Sequence, residues 1–151
     1  MKSRQRVLIT GGSGMLAWDL ARVFESPVVL NRAELDITSE SSILAALEKH
    51  RPTVVLNTAA YTSVDGAETE REAAEAINAR GPALLARACR SANAQLVHFS
   101  TDQVFNGKVD RPRTEEDPTD PINHYAVTKL RGEQAVLGEA DSLVLRVQWL
   151  Y

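Results

Sequence analysis

Tyr125 and Lys129, in the run Tyr125-Ala126-Val127-Thr128-Lys129, are spaced i to i+4, which puts a phenol and an ammonium one above the other on a helix face. Both side chains can then address one ligand. A phenol titrates near ~10 in water, so it delivers a proton near neutrality only beside a cation that favours phenolate. Lys129 is such a cation. The same spacing also arises by chance on helix surfaces, and its weight here comes from what precedes it. Leu96-Val97-His98-Phe99-Ser100-Thr101-Asp102 reads as a strand ending in two hydroxyls, and open α/β sheets bind ligands at strand carboxyl ends. Thr101 is expected to hydrogen-bond a substrate carbonyl beside the phenol. Ser100 is the alternative, and both residues also suit a plain strand end. Alternation sends His98 the opposite way from Phe99, so His98 reads as a packing residue.

A second chemical feature opens the chain. Val7-Leu8-Ile9-Thr10-Gly11-Gly12-Ser13-Gly14-Met15-Leu16-Ala17 passes from an apolar strand into a helix through three glycines. Glycine lets the backbone turn tightly and brings its N–H groups to an anion with no Cβ between, while the helix N-terminus adds partial positive charge. The turn is expected to cradle a dinucleotide pyrophosphate rather than serve as a plain bend. The next strand ends at Leu30-Asn31-Arg32, where such folds meet the adenosine ribose. An acid there repels a 2′-phosphate, whereas Asn31 and Arg32 favour NADP over NAD; Arg32 also reads as an exposed loop charge. Asp36 and Ile37 follow, suited to an adenine amino group and ring face, with helix capping as the other reading of Asp36.

These residues need a scaffold that brings strand ends together. Short apolar runs (6–10, 27–30, 53–57, 95–100 and 142–147) alternate with helical periodicity at 15–24, 39–50, 68–92 and 125–137. The expected fold is α/β, a doubly wound, Rossmann-like parallel sheet. Thr38 and Ser39 are candidate N-caps, and Gly81-Pro82 should interrupt the third helix near Asn78. The stretch 106–123 holds three of the six prolines and is long enough to be functional.

Composition sets further bounds. With 151 residues and 44% hydrophobic content the chain matches one domain, and a net charge of −3 without a basic cluster argues against nucleic acid as a partner. The single cysteine, Cys89, falls in a helix and reads as core. His50 and His124 have no acid or cysteine at ligand spacing, so no metal site is expected. No apolar run approaches the ~20 residues that span a bilayer, and no signal region precedes the first strand, so a cytoplasmic protein without a membrane partner is expected.

Together the motifs resemble the extended short-chain dehydrogenase/reductases and, within them, the dTDP-4-dehydrorhamnose reductases. The carriers are Leu35-Asp36-Ile37-Thr38, Asn57-Thr58-Ala59-Ala60-Tyr61-Thr62-Ser63-Val64-Asp65, Asn78-Ala79-Arg80-Gly81-Pro82, Ser100-Thr101-Asp102-Gln103-Val104-Phe105-Asn106-Gly107 and the Tyr125/Lys129 pair. The resemblance implies Gly11, Gly14, Met15 and Leu16 at the pyrophosphate, Asp36 and Ile37 at the adenine, and Ala60, Tyr61 and Thr62 on the third-strand side of the cofactor. It implies Phe99 near the nicotinamide, Thr101, Asp102 and Trp149 near a nucleotide-sugar substrate, and Lys129 on the nicotinamide ribose. Asn78 resembles a helix asparagine that helps hold a water near the lysine. Ala17 replaces the usual third glycine, Gln103 a tyrosine, and Val147-Gln148 a Thr-Ser pair. The implied activity is NAD(P)H-dependent reduction of the C4 keto group of a nucleotide-linked 4-keto-6-deoxysugar. Two rivals share the pocket: a non-catalytic regulatory subunit resembling the partner of methionine adenosyltransferase, and a sugar-nucleotide epimerase or dehydratase. Residues 1–151 are expected to form the NAD(P)-binding domain of a longer protein, truncated before its substrate domain, with a homodimer left open.

Overall fold

A computed structural model describes residues 5–139 and 141–148. Five strands form one parallel sheet: β1 (Val7–Thr10), β2 (Val28–Val29), β3 (Val54–Asn57), β4 (Gln95–Thr101) and β5 (Ser142–Val147), in the order β2-β1-β3-β4-β5. The order reverses direction between β1 and β3, and the carboxyl ends there open a crevice. The register pairs Thr10 with Asn57 and Asn57 with His98, so three polar residues line up across that end.

The helices are α1 (Met15–Val23), α2 (Glu40–His50), α3 (Gly66–Thr69), α4 (Arg71–Glu75), α5 (Gly81–Ser91) and α6 (His124–Leu137). One face of the sheet carries α2, α5 and α6 over Leu8, Val55, Leu96 and Val144, with Ile43, Leu85, Cys89 and Val136 in the same core. The other face carries α1 over Val7, Ile9 and Leu56. Ala17 is fully buried there, so the methyl that replaces a glycine fills the helix–strand contact. Among the described residues no helix is long and apolar enough to cross a membrane.

The strand and helix readings hold to within a residue or two, with instructive differences. Ser39 caps α2 through its hydroxyl, whereas Thr38 is spent on Asp36. Asn123 caps α6, its Oδ1 accepting from Ala126 N at 2.7 Å, so that helix starts one residue earlier than its apolar period shows. The helical stretch 68–92, expected to be interrupted near Asn78, is divided into three α-helices and a π turn. Glu70 leaves helical geometry at φ −98 and ψ 46, separating α3 from α4. Ala76–Arg80 then winds as a π turn before α5.

The π turn has a local cause. Pro82 has no N–H to return to the carbonyl of Asn78, so the helix cannot continue in α register there. The carbonyl packs against α6 instead: a Cβ on Gly132 would lie 2.1 Å from Asn78 O. Only glycine permits that approach.

Gly132→Ala is therefore expected to destabilise the protein by about 3 kcal/mol, because backbone must move on both sides of the contact. An unhindered helix would gain about 1 kcal/mol from the same change. Urea unfolding midpoints decide between the two signs.

Candidate active site at the carboxyl ends of β1, β3 and β4

The turn after β1 is built for backbone approach. Gly11 has φ +67, and a Cβ on it would stand 2.8 Å from Ala59 N. Gly12 donates to Leu30 O at 2.9 Å, and a Cβ there would meet Val29 and Leu30. Sequence reading gave Gly12 no role; it holds the turn against β2. Gly14 donates to Gly11 O at 2.8 Å and begins α1 with no side-chain cap. The first-turn N–H groups of α1 are thus left for an anion. Met15 is exposed and Leu16 half-buried beside them. A pyrophosphate fits this cradle because no side chain occupies it.

At the end of β2 the structure redistributes the expected roles. Asn31 Oδ1 accepts from Ala33 N (2.8 Å) and Glu34 N (3.3 Å), while Asn31 N donates to Glu34 Oε2 (2.9 Å). This is a reciprocal capping arrangement, so the Asn31 side chain is spent on its own turn, and Glu34 brings a carboxylate that the sequence reading had not weighed. Arg32 is exposed, its Nε 3.8 Å from Asp36 Oδ2. Asp36 Oδ1 accepts from both the N–H (2.9 Å) and hydroxyl (2.7 Å) of Thr38, which holds its carboxyl below the usual range. It therefore caps a turn and not the helix. Ile37 is buried in the core against Gly81, so its side chain is spent on packing.

The segment leaving β3 is fixed by Asn78. Its Oδ1 accepts from Tyr61 N at 2.9 Å, and its Nδ2 donates to Tyr61 O at 3.0 Å and Thr128 Oγ1 at 3.2 Å. Its amide thus ties the loop after β3 to α6. Ala60 is half-buried, Thr62 exposed, and the Tyr61 hydroxyl donates to Glu70 at 2.7 Å, holding that phenol above its ordinary range.

Thr101 and Tyr125 meet at the end of β4, and Lys129 reaches the same strand at Phe99. The Thr101 hydroxyl lies beside the Tyr125 phenol and favours its ionised form. Thr101 Oγ1 also lies 3.2 Å from Asp102 Oδ1 and accepts from Gln103 N at 3.2 Å. Its one proton has two takers, the phenol oxygen and the Asp102 carboxylate. Lys129 is 3% exposed, and its Nζ donates to Phe99 O at 2.6 Å. Burial brings its ammonium down to about 8, against an opposing pull from Glu133.

One expectation is corrected here. Tyr125 is raised, not lowered, first by burial and then, less strongly, by Asp102, with the Thr101 hydroxyl opposing. Lys129 does not contribute because its ammonium is drawn down onto β4. Ser100 is buried on the other side of the strand, its Oγ unpartnered among the described residues. Trp149, expected near a substrate, lies outside the described residues.

Behind the site runs a buried polar chain. Thr10 Oγ1 donates to Asn57 Oδ1 at 2.7 Å, and Asn57 Nδ2 lies 3.0 Å from His98 Nδ1. The amide orientation makes Nδ1 the acceptor and puts the imidazole proton on Nε2. Burial, and then the Lys129 charge, bring His98 down to about 3. The packing role read from the sequence holds, with a hydrogen bond added. Glu133 and Arg146 were not singled out, although Glu133 stands four residues beyond Lys129 and alternation places Arg146 with Val144 on the α6 face.

A parallel sheet with a glycine turn after β1 and a Thr–Tyr–Lys cluster after β4 defines a Rossmann-like domain of the extended short-chain dehydrogenase/reductase class. The chain belongs to the family described as "RmlD substrate binding domain", whose model matches residues 5–151. It is similar to a dTDP-4-dehydrorhamnose reductase of Streptomyces griseus, at 44% identity over 98% of this chain and 51% of that protein. A probable dTDP-4,6-dihydroxy-2-methyloxan-3-one 4-ketoreductase of Streptomyces antibioticus is 47% identical over 97% of this chain and 52% of its own length. Among solved structures, the dTDP-4-dehydrorhamnose reductase of Bacillus anthracis in complex with NADP superposes with a TM-score of 0.93 at 37% identity, covering 100% of this chain and 56% of that one. The chain spans about half the length of the curated relatives it matches.

The His98 environment gives stability a pH dependence with a definite sign. A histidine held near 3 in the fold and near ~6.5 when unfolded stabilises the protein above pH ~6.5, and that stability is lost as pH falls toward 3. His98→Gln removes the titration. Unfolding free energies measured from pH 7 down to pH 4 should fall more steeply for the parent protein than for the variant, by up to a few kcal/mol. Parallel curves would show that His98 titrates alike in both states.

Proposed function

We propose that this chain is the cofactor-binding domain of an NAD(P)H-dependent reductase acting on the C4 keto group of a nucleotide-linked 4-keto-6-deoxysugar, as in dTDP-L-rhamnose synthesis. The observation that carries the reading is the Thr101–Tyr125 hydroxyl pair at the carboxyl end of β4, with Lys129 one helical turn along α6. A keto oxygen placed against these hydroxyls accepts hydrogen bonds from both. The relatives' reductase activities support the choice of substrate class. The whole protein is proposed to act in the cytoplasm on a nucleotide sugar, without nucleic acid or membrane, and a homodimer is compatible with this reading.

The cradle of Gly11, Gly14, Met15 and Leu16 would hold the pyrophosphate, Asp36 the adenine, and Ala60, Tyr61, Thr62 and Phe99 the remaining length of the cofactor. When bound, the reduced nicotinamide supplies the hydride that the carbonyl carbon accepts. Everything else falls to side chains. Thr101 orients the carbonyl, and Tyr125, kept a neutral phenol by its burial, is the proton donor to the oxygen as the C–O double bond becomes an alcohol. Asp102 takes the Thr101 hydrogen bond when the phenol does not, so the hydroxyl stays aligned through the transfer. Lys129, held on the Phe99 carbonyl, would supply a donor for the nicotinamide ribose.

Tyr125→Phe is expected to cut turnover by about 10²–10⁴-fold while cofactor affinity stays close to that of the parent. The assay follows NADPH oxidation with a dTDP-4-keto-6-deoxysugar. Unchanged kinetics would refute the assignment of Tyr125 as proton donor.

Cofactor choice turns on Arg32, which is free to swing from Asp36 toward a 2′-phosphate because it is exposed and only loosely paired. Arg32→Ala should weaken NADPH by roughly tenfold and leave NADH nearly unchanged. Equal losses for both cofactors in a binding titration would make Arg32 a bystander and return the preference to NAD.

A further inference from the structure

Lys129 is buried, and an isolated ammonium at such depth tends to lose its proton. One turn further along the same helix stands Glu133, 1% exposed. Its two oxygens take a bidentate fork from Arg146 of β5, Nε to Oε1 at 2.8 Å and Nη2 to Oε2 at 2.7 Å. A fork of this geometry fixes the carboxylate in orientation as well as charge. Arg146 is in turn 5.0 Å from the ring centroid of Phe105. The i to i+4 spacing puts this fixed carboxylate on the same face of α6 as Lys129, where its charge favours the ammonium.

We propose that Glu133, clamped by Arg146, is a positioning residue for Lys129 that keeps the ammonium charged and on the Phe99 carbonyl across the neutral range. The proposal rests on the reading of Lys129 as part of the reductase site. The other groups facing Lys129 do not supply the charge. On α6 itself Tyr125 is a neutral phenol, and on β4 His98 is a neutral imidazole. The π turn presents the uncharged Asn78, and from α5 the thiol of Cys89 is pushed up to about 12. After β4, Asp102 acts on Tyr125 and Thr101. Glu68 and Glu75 are engaged with His124 and Arg131 on the outer side of α6. Glu133 is the charged group that acts on Lys129, and Arg146 is the cation that shares its carboxylate.

The two partners therefore predict opposite shifts, which a merely structural ion pair does not. In the complete protein with 13Cε-labelled lysine, the Lys129 titration is followed by NMR and assigned with Lys129→Arg. Glu133→Gln should lower the midpoint by about one pH unit or more, and Arg146→Gln should raise it, since the carboxylate is then shared with no other cation. Where Glu133→Gln does not fold, Glu133→Gln with Arg146→Met removes the pair without orphaning a charge, and the same fall is expected. An unmoved midpoint, or a shift of one sign for both single variants, overturns the proposal. The pH profile of kcat in the same proteins is a separate readout. If the NMR midpoint moves as stated and the profile moves with it, Lys129 serves the reaction. If the midpoint moves and the profile does not, Glu133 still controls Lys129, and it is the reductase reading of that residue that fails.

Discussion

A single absent donor organises this molecule. Pro82 has no N–H for the carbonyl of Asn78, and the helix answers with the π turn Ala76–Arg80. That carbonyl then lies against the Cα of Gly132, which draws α6 in to a distance no other residue at 132 would allow. The Asn78 side chain holds both backbone groups of Tyr61 and reaches Thr128 of α6. The loop leaving β3 and the helix bearing Tyr125 and Lys129 are thus pinned to the same residue. Loss of α register at one point is what lets two distant segments share one reference.

The sheet supplies the other coordinate. Parallel register sets Thr10, Asn57 and His98 side by side, and their hydrogen bonds hold three strand ends at fixed spacing, with His98 Nε2 left without a partner among the described residues. The same burial sets the electrostatics of the site. His98 is neutral because it is buried next to a cation, and Lys129 stays a cation because a carboxylate lies one turn away. Tyr125 remains a phenol for want of such a partner. One low-dielectric interior shifts all three titratable groups first by burial, and neighbouring charges then add to or oppose that shift.

Apolar periodicity made the sheet and most helices legible in the sequence, because burial on one or both faces is what writes that period. The glycine turn was legible for the same reason: Gly11 and Gly14 sit where a Cβ would collide or block, and few residue types satisfy that. The breaks were harder. Glu70 carries no residue-type signal for leaving a helix, and Gly81-Pro82 announced an interruption without its π form. Polar roles were the least legible, since Asn31 and Asp36 suit a ligand and a local turn equally, and the choice depends on whether Glu34 and Thr38 fold back to meet them. Likewise the i to i+4 rule reads Tyr125 and Lys129 as partners. Their long side chains diverge instead, one to Thr101 and the other to Phe99.

The proline-containing stretch 106–123 shows how a loop can be coupled to buried charge. Asn106 Nδ2 donates to Asp120 Oδ2 at 2.8 Å, Arg111 forks onto Asp117, and Arg113 lies 5.0 Å from the Phe105 ring centroid that Arg146 also approaches at 5.0 Å. Two guanidiniums near one ring repel unless each has its own anion. Arg146 has Glu133, and Arg113 leans toward Asn106 with Asp117 nearby. The ring can therefore be shared only while both compensations hold. The loop beside the end of β4 is thus linked to the buried carboxylate of α6 through Phe105 and Arg146, by side chains rather than by backbone.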